Sequence, residues 1–157
     1  DVHRKRAFGL SPLDGSASTP GDGLYAPAAT RATYHRLRDL ARVVVASGHI
    51  AIVDATCLKR WQRDLFRDLA AELGVPFVIV DLTAPEALLR QRIESRCAAR
   101  ADPSEADVAV LAAQRAGAEP LGADEAAYAL FVDATTLDAA AMTALCHSVA
   151  ARCGSPA

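Results

Sequence analysis

Three stretches of apolar residues in this chain end in the motif Asp-x-Thr, at 54–56, 81–83 and 133–135, and a helical pattern follows each one. Short apolar runs between helices are typical of strands buried in a parallel sheet. Parallel strands end at the same edge of the sheet, where open α/β sheets bind ligands. We therefore expect carboxylates and hydroxyls to converge there, on a site for a metal ion and a phosphorylated or hydroxylated ligand.

Asp54 is the strongest candidate for a metal ligand. It follows four apolar residues, a pattern that places a carboxylate near nucleotide-bound Mg²⁺. The same pattern can instead cap the next helix. Capping is the favoured interpretation of Asp81 and an alternative for Asp54, and Asp133 could equally cap the last helix or its turn.

A second candidate is a row of arginines on one predicted helix. Arg92, Arg96 and Arg100 recur four residues apart and share one helix face. Like charges at this spacing repel one another unless an anion, such as a triphosphate, lies against them. The alternative is a solvated charged face.

Asp1 and Arg4 form a third candidate pair. A carboxylate near a substrate hydroxyl can accept its proton, and an arginine three residues away can hold a phosphate or carboxylate. The alternative is a pair of solvated charges at the end of the chain.

The elements that must position these residues are helices and strands in alternation, which predicts a three-layer α/β/α sandwich around a parallel sheet. We expect a single domain over 1–153, with a lid-like helical segment at 90–117 and a frayed tail at 154–157. Strands are predicted at 49–53, 75–81 and 129–132, and helices at 27–47, 58–73, from 83, at 104–117, from 124 and at 138–152.

Composition sets the class of protein. The chain has 157 residues, 52% of them apolar, which is enough for one domain with a core. Its net charge of −2 gives no strong signal for nucleic acid or an anionic membrane. The four cysteines lack metal-ligand spacing, and no apolar run approaches the roughly 20 residues of a membrane span. We expect a cytoplasmic protein without a membrane partner.

The order of these motifs resembles the small P-loop kinases, in particular the bacterial "predicted kinase" ATP-binding module. That module is related to polynucleotide kinase and zeta toxin and is often fused behind an aminoglycoside-phosphotransferase-like domain. The resemblance extends to about Leu145 and rests on the start Asp1-Val2-x-Arg4-Lys5-Arg6, on Val53-Asp54-Ala55-Thr56, on Arg63-Asp64, on the arginine-rich segment and on Ser104-Glu105-Ala106-Asp107.

This resemblance implies ATP-dependent transfer of a phosphoryl group to a hydroxyl acceptor. Asp1 would activate the acceptor hydroxyl and Arg4 would hold the acceptor, with Thr56 and Arg63 lining its pocket. The acceptor could be a small metabolite, a nucleotide or a polynucleotide end, and the nearly neutral net charge disfavours long nucleic acid.

The resemblance also implies a nucleotide site with ATP and Mg²⁺ as cofactors. Asp54 would be the Walker-B carboxylate, holding Mg²⁺ through water, and Arg92 and Arg96 would be lid arginines that close over the phosphates. These roles suit a reaction that depends on positioning and charge neutralisation.

One family feature does not occur in the sequence. These kinases carry G-x-x-x-x-G-K-[ST], which cradles the phosphates, but the chain contains no Gly-Lys pair. We therefore expect a P-loop domain that lacks its first, central strand and its phosphate loop, is inactive by itself and exposes strand edges. A partner domain upstream or fused to it would fit this expectation.

Two other functions remain open. One is a non-catalytic remnant of a P-loop domain that acts in interaction or regulation. The other is a phosphatase of the haloacid dehalogenase type, which is less favoured because that chemistry needs a second Asp two residues after the nucleophile, where all three motifs have Thr.

Overall fold

The computed structural model describes residues 1–16, 18, 21–99, 104 and 106–154, and over these the chain is an α/β protein with a small parallel sheet. Its helices and strands, in chain order, are α1 Val2–Ala7, a 3-10 turn Gly23–Tyr25, α2 Pro27–Ala46, α3 Arg60–Leu73, β1 Ile79–Thr83, α4 Glu86–Ala99, α5 Val108–Ala116, α6 Ala123–Ala126, β2 Ala129–Asp133 and α7 Ala139–Arg152.

The sheet consists of β1 and β2 side by side. They are parallel and in a register that pairs Thr83 with Asp133, so both strands end at the same edge, as the sequence predicts. Asp81 lies opposite Phe131 in the middle of the sheet. The second and third Asp-x-Thr motifs are therefore offset by two residues, and only Thr83 and Asp133 meet at the edge.

The strand predicted at 49–53 is wrong for the described part of the chain. Residues 49–54 belong to no strand, and Ile50 and Ile52 are 58% and 89% exposed. A strand needs a neighbour to pair its N–H and C=O groups, and β1 pairs with β2 instead. The sheet seen here has two strands rather than the three expected.

The long helices agree with their sequence signals. Pro27 begins α2, where its fixed φ and missing N–H are tolerated. Gly74 ends α3 with a φ of +65°, the left-handed conformation typical of helix C-termini. The two helices pack together, and at their exposed ends Arg38 and Arg42 both bond to Glu72, at 3.0 and 2.6 Å.

Local capping differs from the prediction around Asp81. Asp81 lies inside β1 rather than before a helix, and the Thr83 hydroxyl donates to the carbonyl of Val132 at 3.4 Å. Asp133 forms a turn instead of a cap: its carboxylate accepts from the N–H and hydroxyl of Thr135 at 2.8 and 2.7 Å. The N–H of Thr135 is the main reason that the pKa of Asp133 is lowered.

Several predictions fall on residues outside the described ranges, namely Arg100, part of the lid-like segment at 101–103, Glu105 and the tail at 155–157. In the described part of the lid-like segment, α5 begins at Val108, because Asp107 caps it by accepting from the N–H of Val110 at 2.8 Å. None of the helices within the described ranges has the length and apolar character that crossing a membrane requires.

Candidate functional site

A cavity of about 340 Å³ lies between α1, α2, α3 and α5. Its wall contains both aromatic and cationic side chains, and no Asp or Glu is among its lining residues in the described ranges. Its aromatic residues are Tyr25, Tyr34 and Trp61, and its cations are Arg4, Arg31 and Lys59.

Tyr34 fixes the inner wall of this cavity. Its ring lies edge-to-face on Trp61, with centroids 5.4 Å apart, and its side chain is 3% exposed. Its hydroxyl accepts from the backbone N–H of Cys57 at 3.1 Å and lies 3.5 Å from the hydroxyl of Thr56. Burial raises the pKa of Tyr34, so the phenol stays protonated and remains available for both contacts.

The segment after Asp54 therefore turns around the Tyr34 hydroxyl. At the turn, Cys57 has a φ of +44°, an uncommon and strained conformation for a residue with a side chain. Burial raises the pKa of its thiol. The turn places Thr56 in the cavity wall, while Asp54, two residues earlier, lies elsewhere.

Asp54 is exposed and lies at a second, apolar groove of about 290 Å³ between α2 and residues 50–54. His3 of α1 lies at this groove, whereas Arg4 lies at the cavity. The structure thus brings Arg4 and Thr56 to one pocket and Asp54 to its neighbour, with α1 contributing to both.

Asp1 and Arg4 form an ion pair, with a guanidinium nitrogen 2.9 Å from a carboxylate oxygen. The guanidinium of Arg4 also lies 5.1 Å from the centre of the Tyr25 ring, within the range of a cation–π contact. The side chains of Arg4 and Asp1 are 15% and 20% exposed. The pair predicted from sequence is therefore a real contact at the cavity.

Arg31 is a cation of the cavity that sequence reasoning missed. Its guanidinium lies 4.9 Å from the centre of the Trp61 ring, and no described carboxylate pairs with it. Lys59, by contrast, is paired with Glu119 at 3.2 Å. Among the cations of the described wall, Arg31 is the one that no described carboxylate pairs with.

Arg63 does not line the cavity. Its side chain is 5% exposed, and its guanidinium bonds to both carboxylate oxygens of Glu125 at 2.6 and 3.0 Å. The carbonyls of Cys57 and Glu119 accept from it as well, at 3.0 and 3.1 Å. These contacts join α3 to the turn at Cys57 and to α6, so Arg63 holds this part of the cavity wall in place without lining the cavity. The role in the acceptor pocket that the resemblance implies for Arg63 stays a prediction.

Arg92 and Arg96 lie on α4, away from the cavity wall. A guanidinium nitrogen of Arg92 donates to the carbonyl of Ala134 at 3.1 Å, and one of Arg96 donates to the carbonyl of Ala106 at 3.2 Å. Arg90 on the same helix pairs with Glu86 at 2.7 Å. The structure brings Arg92 near the turn after β2 and Arg96 near the start of α5, and neither is among the residues that line the cavity or the groove at Asp54.

The described residues hold no cluster of three or more His, Cys, Asp or Glu that could bind a metal ion. Asp54 is a single exposed carboxylate. This donor set fits a Mg²⁺ ion whose other ligands are phosphate oxygens and water, the usual arrangement for nucleotide-bound magnesium, and it does not fit an all-protein metal cage.

Comparison with known proteins gives one match. A family model described as an AAA domain matches residues 1–121, which contain α1, the cavity and Asp54. No curated protein and no solved structure matches the chain.

Proposed function

Because this chain belongs to the AAA domain family, whose members are P-loop NTPase-like and kinase-related, we propose that it serves ATP-dependent phosphoryl transfer to a hydroxyl acceptor bound in the cavity. The observation that supports this most is the Asp1–Arg4 ion pair, 2.9 Å long, beside that cavity. A carboxylate and a guanidinium held together can activate a hydroxyl and bind the anion next to it.

In this proposal Asp1 accepts the proton of the acceptor hydroxyl. Arg4 has two tasks: it holds the Asp1 carboxylate in place through the ion pair, and it neutralises charge on the acceptor. Thr56 offers its hydroxyl in the cavity wall to orient the acceptor. The aromatic wall excludes water from this side, which strengthens each of these polar contacts.

The nucleotide lies on the other side of the turn in this proposal, next to Asp54. ATP supplies the phosphoryl group, and Mg²⁺, held by phosphate oxygens and by Asp54 through water, neutralises the phosphate charge. Arg92 and Arg96 act as lid arginines, which requires α4 to move, because both now bond to backbone carbonyls. A phosphate is a stronger, charge-assisted partner for an arginine than a carbonyl.

The proposal also includes a further strand in the sheet, within a three-layer α/β/α sandwich. Ile50, Ile52 and Phe131 are 58%, 89% and 66% exposed, and parallel sheets are normally covered on both faces. A further strand that lies between β1 and residues 49–53 would pair with both, and residues 49–53 would then join the sheet. The family's phosphate loop would follow such a strand.

A non-catalytic role is the second candidate function. The chain has no Gly-Lys pair, and phosphoryl transfer in P-loop proteins depends on that lysine and the loop around it. A domain without these groups keeps the acceptor cavity but cannot hold the γ-phosphate, and would act by binding alone.

The test is a phosphoryl-transfer assay on the complete product of the gene, with labelled ATP, Mg²⁺ and a panel of hydroxyl acceptors. We expect transfer that falls at least about a hundredfold in Asp1→Asn, the scale of a lost general base. The matched control is Asp39→Asn, an exposed carboxylate of α2, which should leave the rate unchanged. If the complete product transfers no phosphoryl group, the non-catalytic role stands.

A further inference from the structure

We propose that the cavity takes a ligand in which a planar aromatic ring is joined to an anionic group, such as a nucleoside monophosphate, with Arg31 as the anchor of the anion. The inference rests on the proposed function, since it identifies the class of acceptor that this site would receive. It comes from three features of the cavity wall: its charge, its aromatic rings, and an Arg31 that no described carboxylate pairs with.

The charge of the wall selects an anion. Arg4, Arg31 and Lys59 line the cavity, and none of its described lining residues is acidic. Two of these cations have carboxylate partners outside the cavity, in Asp1 and Glu119. Arg31 has none in the described ranges, so an anion entering the cavity meets an arginine that need not give up an existing ion pair.

The rings of the wall select a planar group. Tyr25, Tyr34 and Trp61 all contribute to the cavity, and two of them already carry a guanidinium at cation–π distance. Planar bases stack well on aromatic rings and on guanidinium planes alike. Arg31 on Trp61 is therefore a layered surface that could accept one more flat ring.

The wall of the cavity also contains hydrogen-bonding groups that an aliphatic ligand would not use. Thr30, Gln62 and Gln114 lie among its lining residues, and hydroxyl and amide groups both donate and accept. The amide oxygen of Gln62 already accepts from the N–H of Lys59 at 3.0 Å, so its NH₂ group is the part that a ligand would use. A volume of about 340 Å³ lies at the lower end of the range of ligand pockets, roughly 300–1,000 Å³. A single nucleotide suits this size better than a long strand.

Trp61 is the only tryptophan of the chain, so tryptophan fluorescence reports directly on this cavity. The experiment titrates the 157-residue chain with adenosine or guanosine monophosphate, without ATP or Mg²⁺, and follows the emission and, in parallel, the heat of binding. Adenosine, ribose phosphate and inorganic phosphate serve as partial ligands. We expect saturable binding of the monophosphates, at least about tenfold tighter than that of any partial ligand.

The key variant is Arg31→Gln, which should weaken monophosphate binding by about tenfold or more, the scale of a charge-assisted hydrogen bond. Arg36→Gln is the matched control, because Arg36 is an exposed arginine of the same helix that does not line the cavity. Circular dichroism confirms that each variant is folded, and calorimetry measures affinity independently of the change in Trp61 environment.

Two results would overturn the inference: inorganic phosphate binding as tightly as the monophosphates, or Arg31→Gln binding them as tightly as the parent chain. Neither touches the proposed function, which could act on an acceptor without a ring. Conversely, if the monophosphates bind as expected and no phosphoryl transfer occurs in the complete gene product, the proposed function fails and the ligand class stands.

Discussion

Arg63 and Glu125 lie 62 residues apart in sequence and meet in a buried, two-pronged ion pair, with nitrogen–oxygen distances of 2.6 and 3.0 Å. Both side chains are almost fully buried, at 5% and 2% exposed. Glu125 also accepts from the N–H of Gly122 at 2.9 Å. This pair joins α3 to α6 behind the cavity and fixes the position of the Cys57 turn.

Removing one partner of this pair should destabilise the protein strongly. Glu125→Gln leaves the Arg63 charge buried without its counter-ion, a loss of about 3–5 kcal/mol for buried pairs. The free energy of unfolding in urea measures it. Glu94→Gln is the matched control, since Glu94 is exposed, and should change stability by less than about 0.5 kcal/mol. Equal losses in the two variants would contradict the structural role of the pair.

The same pair predicts acid sensitivity. The bond from Arg63 is the main cause that lowers the pKa of Glu125 from 4.5 to about 2. A carboxylate with a lowered pKa stabilises the folded state when it is ionised, so its full contribution is present above about pH 4.5 and disappears as the pH falls through 2. The contribution is on the order of 3 kcal/mol.

Urea unfolding between pH 7 and pH 2 checks this. Other carboxylates titrate in the same window, so the quantity to compare is the difference in unfolding free energy between the parent chain and Glu125→Gln. This difference should shrink steadily below about pH 4.5. A difference that stays constant with pH would show that the pKa of Glu125 is the same in the folded and unfolded states, which contradicts the prediction.

Tyr34→Phe should cost about 1–3 kcal/mol of stability. The ring keeps its contacts with Trp61, but the backbone N–H of Cys57 loses the acceptor that lies at 3.1 Å, and a buried donor without a partner carries this penalty. Thermal or urea unfolding measures the loss. Tyr128→Phe is the control, because Tyr128 is 39% exposed, and its hydroxyl should matter little. A Tyr34→Phe variant as stable as this control would rule out the hydroxyl as an anchor.

The 157-residue chain should not bind ATP tightly. No Gly-Lys pair is present to hold the phosphates, and Asp54 alone supplies too few contacts. We expect a dissociation constant weaker than about 1 mM, or about −4 kcal/mol, in calorimetry with Mg²⁺-ATP. Tight binding that disappears on chelation of Mg²⁺ would contradict this prediction.

Sequence reasoning succeeded where a local signal determines the structure. Pro27, Gly74 and Asp138 mark helix ends by backbone geometry or capping, and α2, α3 and α7 begin or end at them as expected. The strand at β2 was also predicted closely. In these cases the information lies within one or two turns of the residue concerned.

The prediction of a strand at 49–53 was wrong because a strand forms only when a second segment pairs with it. Its apolar residues predict burial in a sheet, but Ile52 is 89% exposed, and no partner lies beside it in the described chain. The prediction that Asp81 caps a helix was wrong for a similar reason. The limits of β1 depend on its register with β2, which no local pattern reveals.

The cavity could not be foreseen either. Arg31 and Trp61 are 30 positions apart and meet only because α2 packs on α3. Trp61 falls within the helix predicted at 58–73, and Arg31 has no neighbour in sequence to suggest an anion site. Three of the chain's four Tyr and Trp residues line this one cavity, a concentration that only the fold discloses.

The residue that anchors the turn and the residues that the anchored segment carries lie in different parts of the chain. The group that holds the turn belongs to α2, whereas the side chains that the turn presents, Asp54 and Thr56, belong to the segment being held. Mutations can therefore exchange those two side chains while the path of the backbone persists. A variant that keeps Tyr34 should therefore keep the path of the backbone, so that the side chains at positions 54 and 56 can be changed one at a time.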